Sequence, residues 1–179
     1  MTLSAEWFAA FDLAPAHSRP ELLAAAVRPA VAGREDVLVA PIDPGLADTA
    51  AFCAHYGVPE ASSANCVIAA GKRGGEERLA AVMVLATTRA DINGIVRRHL
   101  DVRKISFAPQ EMATGLTGME YGGITPLGLP GGWPILVDAA VVAAGPVVIG
   151  SGLRASKIVL DGAALAALTG AVVLDGLAR

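Results

Sequence analysis

A stretch rich in glycine and proline restricts the fold more than any other part of the sequence. Residues 117–134, TGMEYGGITPLGLPGGWP, contain six glycines and three prolines and lie between apolar segments. Glycine weakens helices and strands and proline removes a backbone donor, so the stretch is predicted to form an irregular loop. Backbone N–H groups held in an arc by such a loop can bind an anion or a developing oxyanion. The alternative is a long turn that only joins two strands.

Short apolar runs and helical patterns alternate irregularly along the rest of the chain. We predict about eight short strands and about five helices, without strict βαβ alternation. The clearest elements are a hairpin with strands at 65–70 and 79–87, and a helix from Leu46 to Tyr56 that Gly57 ends. The pattern predicts an α/β (α+β) fold with a mixed sheet, strongly curved or barrel-like, and helices on its outside.

The first 35 residues are predicted to form a helical extension of a single domain that spans residues 1–179. Ser18-Arg19-Pro20-Glu21 has the spacing of a capping box, with proline near the helix start. The helix that it opens is predicted to run through Val27 and to be interrupted near Pro29. A chain of 179 residues is long enough for one substantial hydrophobic core.

Composition excludes several classes of protein. No apolar run is long enough to cross a bilayer, and the N-terminus lacks the pattern of a signal peptide, so we expect a cytoplasmic protein without a membrane partner. The two cysteines have no metal-ligand spacing, and we expect no metal. The formal net charge of −3 argues against a protein that grips long nucleic acid, although it is compatible with binding to one terminus.

The common catalytic motifs are absent from the sequence. It contains no GxSxG, no phosphate-binding P-loop and no GxGxxG after a strand, and its histidines, His17, His55 and His99, are scattered. No cofactor is expected. An enzyme with this sequence would depend on backbone dipoles and a positioned water molecule.

The segment Gly122–Gly128, GGITPLG, resembles the GxxxP loop of the YbaK/ProX family. Thr117-Gly118 precedes it and a PILVD strand, residues 134–138, follows it, as in that family. These are bacterial aminoacyl-tRNA editing proteins related to the insertion domain of prolyl-tRNA synthetase. The resemblance covers residues 36–178 and is strongest at the loop. It implies a mixed β-barrel flanked by helices and hydrolysis of an aminoacyl ester without a protein nucleophile.

The resemblance also implies site residues. The backbone of Gly122 and Gly123 would bind the reacting carbonyl group. A second wall would come from the late glycine turn around Ser151. The residues expected to bind substrate are Ile124, Thr125, Pro126, Thr117, Gly118, Met119, Ser151, Gly152 and Arg154.

Asn65 is where the sequence departs from the family pattern. Active relatives carry a lysine at the corresponding point of the first hairpin strand. Asparagine can donate a hydrogen bond but brings no charge, and the exchange could cost tenfold or more in transition-state stabilisation. Asn65 is still expected to face the cleft and bind substrate. The cations that could replace the lysine are Arg154, Lys72 and Arg73.

Two further features have a structural and a functional interpretation. The densest basic cluster comprises Arg97, Arg98, Arg103 and Lys104. It is either a solvated helix end or a contact for phosphates of the tRNA acceptor stem. Cys66 lies in an apolar strand without a basic neighbour in sequence, which favours a packing role over a nucleophile.

Three functional hypotheses follow. The first is a free-standing deacylase that hydrolyses tRNA mischarged with a small amino acid. Its partners would be the aminoacylated acceptor end of tRNA and an aminoacyl-tRNA synthetase. The second is a non-catalytic binding module for an aminoacyl, nucleotide or protein ligand, and the third a hydrolase of another small ester or amide. The sequence leaves open the amino acid, the tRNA and the choice between monomer and dimer.

Overall fold

Nine strands and five α-helical segments form within residues 4–179, the part of the chain that this computed structural model describes. The strands are β1 (Ala14–Pro15), β2 (Leu38–Pro41), β3 (Ala64–Arg73), β4 (Glu76–Leu85), β5 (Ile105–Phe107), β6 (Ile135–Asp138), β7 (Pro146–Gly150), β8 (Ser156–Asp161) and β9 (Ala171–Leu174). The helices are α1 (Thr49–Tyr56), α2 (Arg97–His99), α3 (Gln110–Thr117), α4 (Ala139–Ala143) and α5 (Gly162–Leu165). A π-helical turn, Ile92–Val96, leads into α2.

The strands form two sheets. One has the order β1-β2-β8-β7 and is antiparallel throughout. The other has the order β5-β3-β4-β6-β9; its first three strands are antiparallel, whereas β6 runs parallel to both β4 and β9. The chain therefore builds one antiparallel and one mixed sheet.

The β3–β4 hairpin extends further than its sequence suggests. Gly74 and Gly75, both with positive φ, form a two-residue turn, and Lys72 and Arg73 pair across the strands with Glu77 and Glu76. The sequence prediction assigned these charged residues to an eight-residue turn. Opposite charges facing each other across an antiparallel ladder stabilise it, and the glycines supply the backbone angles of a tight hairpin.

The two sheets meet where β3 begins. A parallel bridge joins Ser63 to Val148 of β7. The largest group of buried apolar side chains includes residues from both sheets, among them Met83 of β4 and Ile149 of β7. At this junction the first residues of β3 lie next to the end of β7 and the start of β8, on either side of the turn that connects these two strands.

The N-terminal segment differs from its prediction. Instead of one helix from Ser18 to Pro29, short 3-10 helices form at Pro20–Leu22 and Arg28–Val31. The Ala24 N–H donates to Ser151 O (3.2 Å), and this tertiary bond takes the place of a helical one. The predicted extension begins at residue 1, and its first three residues lie outside the described part of the chain.

The predicted α+β class, with a mixed sheet flanked by helices, is confirmed. Within residues 4–179 the sheets do not close into a barrel, because only the single Ser63–Val148 bridge joins their strands. No helix in this range is both long and apolar enough to cross a membrane.

Candidate functional site

A cleft of about 490 Å³ opens at the junction of the two sheets. Its walls come from the start of α1, the first half of β3, the segment joining β5 to α3, the glycine-rich loop, and the ends of β7 and β8. Asn65, Gly122, Ile124 and Arg154 all border it. The structure thus brings together four predicted site residues from three separate parts of the sequence.

The glycine-rich loop is fixed against the turn between β7 and β8. Gly123 O accepts a hydrogen bond from Gly152 N–H (2.7 Å), and a side chain on Gly123 would collide with the backbone of Leu153. Gly150 approaches the loop so closely that a Cβ there would overlap the carbonyl oxygens of Gly123 and Ile124. Close backbone contact, which only glycine permits, therefore holds this wall of the cleft in place.

The backbone donors of the loop are not equivalent. Gly123 N–H donates to Glu120 O (2.9 Å) and so is already used. Within residues 4–179 neither Gly122 N–H nor Ile124 N–H has a protein acceptor, and both residues border the cleft. Gly122 and Ile124, but not Gly123, can therefore donate to a bound oxygen.

Asn65 lies on β3 in the opposite wall. Its Oδ1 accepts a hydrogen bond from Thr49 Oγ1 (2.8 Å) at the start of α1. Asp48 caps this helix by accepting from Ala50 N–H (3.2 Å), which orients Thr49 towards β3. In the described residues the amide NH₂ of Asn65 has no protein acceptor, so it can donate to a ligand.

Arg154 spans the mouth of the cleft. Its guanidinium donates to Tyr121 O (3.0 Å) in the glycine-rich loop and to Pro44 O (3.1 Å) ahead of α1. The backbone N–H of Arg154 also donates to Glu120 Oε2 (2.6 Å). Lys72 and Arg73, the other predicted cations, lie at the β3–β4 turn outside the cleft, and Arg73 pairs with Asp101 (2.8 Å).

Sequence reasoning missed Lys157, a buried lysine in the cleft wall. It lies on β8, and its Nζ donates to Ala47 O (3.2 Å). Desolvation lowers the pKa of Lys157, and the nearby positive charge of Arg154 lowers it further. The signal was present in the sequence, since Lys157 directly precedes the apolar run Ile158–Leu160.

Eight of the predicted site residues do not border the cleft. Thr117 and Ser151 are representative: Thr117 Oγ1 donates to Ala113 O (2.7 Å), and Ser151 Oγ lies 2.7 Å from Ser156 Oγ. The eight residues comprise seven buried ones and the exposed Gly118, which ends α3. They are Gly123, Thr125, Pro126, Thr117, Gly118, Met119, Ser151 and Gly152.

Two exposed aromatic side chains border the cleft. Phe107, at the end of β5, is 53% exposed, and Tyr121, in the glycine-rich loop, is 57% exposed. The remaining aromatics behave differently: Phe52 and Tyr56, for example, pack with the N-terminal Phe11 in one cluster. Exposed rings at a cleft can stack on a flat ligand such as a nucleobase.

The basic cluster lies away from the cleft. Arg98, Arg103 and Lys104 are exposed, whereas Arg97 is half-buried and its Nε donates to Asn93 O (2.8 Å). Lys104 precedes β5, whose first residue pairs with Gly71, six residues along β3 from Asn65. At the rise of a β-strand this places the cluster about 20 Å from Asn65.

Cys66 borders the cleft but is not an activated thiol. Its thiol lies among protein atoms although part of the residue is accessible, and this burial raises the pKa of Cys66 to about 12. The thiol therefore stays protonated at neutral pH and is a poor nucleophile. Within residues 4–179 no group of three or more His, Cys, Asp or Glu side chains could hold a metal ion.

One family model matches most of the chain. Residues 43–168 match the family model for the aminoacyl-tRNA editing domain. The matched range includes Asn65, the glycine-rich loop, Arg154 and Lys157. No curated protein sequence is detectably similar to the chain.

Solved structures share the fold. A candidate trans-editing enzyme for prolyl-tRNA synthetase superposes with a TM-score of 0.71 and 21% identity, covering 90% of this chain and 96% of that one. The hypothetical protein APE2540 superposes with a TM-score of 0.67 and 23% identity, covering 80% of this chain and 90% of that one. At these identities the likeness establishes the fold alone.

Proposed function

Because the chain belongs to the aminoacyl-tRNA editing domain family, we propose that it is a free-standing deacylase that hydrolyses the ester bond of a mischarged aminoacyl-tRNA. The observation that carries this proposal is the convergence of hydrogen-bond donors on one cleft. Asn65, whose amide NH₂ has no acceptor among the described residues, borders it from β3, and Gly122 and Ile124, whose N–H groups have none either, border it from the loop. Donors placed around a carbonyl oxygen stabilise the charge that develops when water attacks an ester.

The size and lining of the cleft support a small amino acid attached to a terminal nucleotide. A volume of about 490 Å³ lies within the range of small-molecule sites. Short apolar side chains, Ala64, Ala108 and Ala113, border it and leave room for a short acyl side chain. Phe107 and Tyr121 offer exposed rings on which the terminal base can stack.

The proposal is tested by deacylation assays on a panel of tRNAs charged with alanine, serine, threonine or cysteine. The wild-type protein should accelerate hydrolysis of at least one mischarged species well above the rate without protein. Correctly charged tRNA should be hydrolysed more slowly than its mischarged counterpart. Absence of acceleration across the panel would contradict the deacylase function.

The second candidate function is a binding module that has kept the cleft without catalysis. The observation that favours it is Asn65, which carries no charge and already accepts a hydrogen bond from Thr49. A module would bind an aminoacylated tRNA end without turnover. Equilibrium binding measured beside the deacylation panel separates the two functions, because only the enzyme consumes its ligand.

Asn65→Ala is expected to reduce turnover of the preferred substrate by about tenfold, the effect of one lost hydrogen bond. Asn65→Lys should retain or raise deacylation, because it adds a charged donor to the same wall. Asn93→Ala is the matched control, since Asn93 is exposed and outside the cleft. Equal rates for Asn65→Ala and Asn93→Ala would show that the Asn65 amide does not bind substrate.

Cys66→Ala is expected to leave deacylation within about twofold of the wild-type rate, because a thiol with a raised pKa does not attack the ester. The measurement is turnover of the same substrate, with circular dichroism to confirm folding. A folded variant with a large loss of turnover would instead indicate covalent catalysis through Cys66.

A further inference from the structure

Lys157 is a charged side chain in a strand that otherwise packs into the core. Ser156 to Leu160 are all buried, and Lys157 is only 8% exposed. Lys157 is nevertheless one of the residues that line the cleft. The accessible part of this lysine therefore faces the space where a ligand would bind.

The surroundings of Lys157 leave its charge largely uncompensated. Its Nζ donates to Ala47 O and lies 5.5 Å from the centre of the Phe52 ring. Among the described residues no carboxylate is within ion-pair distance of Nζ. The charged and titratable groups that act on it are Arg154, which repels it, the Cys53 thiol and Asp48. Burying an ammonium group without a carboxylate partner costs free energy of folding.

Lys157 and Asn65 converge on one turn of the chain from different sheets. Lys157 Nζ binds Ala47 O, and Asn65 Oδ1 binds Thr49 Oγ1. Residues two apart are separated by at most about 7 Å, so the ammonium and the amide lie on the same side of the cleft. Either side chain can therefore reach a group bound beside this turn.

We propose that Lys157 is a catalytic residue whose ammonium binds the carbonyl oxygen of the ester and stabilises the negative charge that forms on it. This inference rests on the proposed deacylase function. Lys157 is almost fully buried, whereas Arg154 spans the cleft mouth between exposed residues. The acyl group stands at the end of the polynucleotide and therefore enters the cleft first. Lys157, the deeper cation, then lies beside the ester, and Arg154, the outer cation, lies beside the nucleotide.

The proposed hydrolysis of the ester balances in atoms and charge. Water adds to the carbonyl carbon, and the π electrons move to the carbonyl oxygen, which Lys157 and the free N–H groups of Gly122 and Ile124 stabilise. The electrons return as the bond to the ribose oxygen breaks. The ribose oxygen takes one proton of the water, the other proton passes to solvent, and the amino acid leaves as a carboxylate.

A purely structural role for Lys157 predicts a different outcome when the charge is removed. Methionine has a similar length and would fill the same space beside Phe52. Because desolvation lowers the pKa of Lys157 in the folded protein, the charged form is stabilised less there than in the unfolded chain at neutral pH. Lys157→Met should therefore maintain or raise the melting temperature. If Lys157 had a structural role, the same substitution would lower the melting temperature.

The test measures kcat and KM for Lys157→Met on the mischarged tRNA that the wild-type protein hydrolyses fastest. We expect kcat to fall between about tenfold and a hundredfold with little change in KM, since the interaction strengthens as the oxygen gains charge. Lys157→Gln is measured beside it, because glutamine can still donate to Ala47 O without a charge. Arg28→Met, which removes an exposed positive charge outside the cleft, is the control and should match the wild type.

A double variant tests whether the positive charge introduced by Asn65→Lys can replace that of Lys157. Asn65→Lys should raise kcat more in the Lys157→Met background than in the wild type, where it places two ammonium groups close together. Full activity in a folded Lys157→Met or Lys157→Gln variant would overturn the inference, as would an equal gain from Asn65→Lys in both backgrounds. A wild-type protein that hydrolyses no species of the panel would instead overturn the deacylase function itself, and with it this role of Lys157.

Discussion

Gly150→Ala is expected to lower the free energy of unfolding by about 3 kcal/mol, the upper part of the range for overpacked sites. A Cβ at this position would overlap the carbonyl oxygens of Gly123 and Ile124. Both obstacles are backbone atoms, and Gly123 O is held by the N–H of Gly152 (2.7 Å), so no rotamer change relieves the collision. The loop must move, and the N–H groups of Gly122 and Ile124 move with it. We therefore also expect loss of most deacylation.

Gly115→Ala is the matched control for this experiment. Gly115 lies inside α3, where an added Cβ would have no neighbouring atom within 4 Å outside its own helical turn, and alanine favours a helix over glycine. The free energy of unfolding should rise by about 0.5–1 kcal/mol, with no change in deacylation. Urea denaturation of both variants provides the comparison. Equal stability of Gly150→Ala and Gly115→Ala would show that the glycine-rich loop and the end of β7 are not in rigid contact.

Binding of aminoacyl-tRNA is expected to weaken between about 20- and 150-fold when monovalent salt rises from roughly 50 to 200 mM, if the basic cluster contacts three or four phosphates. The exposed side chains of Arg98, Arg103 and Lys104 are available for such contacts. They lie along the β3–β5 side of the molecule, some distance from the cleft that would hold the aminoacyl group. The net charge of −3 makes a local cluster necessary, since the molecule as a whole repels RNA.

Charge reversal locates the contact. Arg98→Glu combined with Arg103→Glu should raise the dissociation constant and reduce the slope of log K against log salt by about two. Arg28→Glu changes an exposed residue of the N-terminal segment, outside the cluster, and serves as the control. Fluorescence anisotropy with labelled aminoacyl-tRNA measures all three proteins. If both variants bind equally well, the acceptor stem approaches from another side.

Local features of the fold could be predicted from the sequence. Gly57 ends α1, as predicted, with φ of +67°. The hairpin and the irregular glycine-rich loop follow from turn chemistry in the same way. In each case the deciding interaction joins residues that are close in sequence.

Prediction failed where a distant partner decided the outcome. The capping-box spacing at Ser18 did not produce a helix, because the backbone of Ala24 binds Ser151 O instead. The loop residues could be named, but which of them border the cleft depends on how the loop packs against the β7–β8 turn. Gly122 and Ile124 border it, whereas Thr125 and Pro126 turn inward and are buried.

The sequence by itself determined the α+β class, the glycine-rich loop and the family resemblance, because these depend on local backbone preferences and on motifs read along the chain. Only the tertiary structure decided that the sheets stay open and that Lys157 faces the cleft. It also showed that Lys157 and Asn65 reach one turn, at Ala47 and Thr49. Lys157 and Asn65 are 92 positions apart and belong to different sheets, so only the packing of one sheet against the other brings them together.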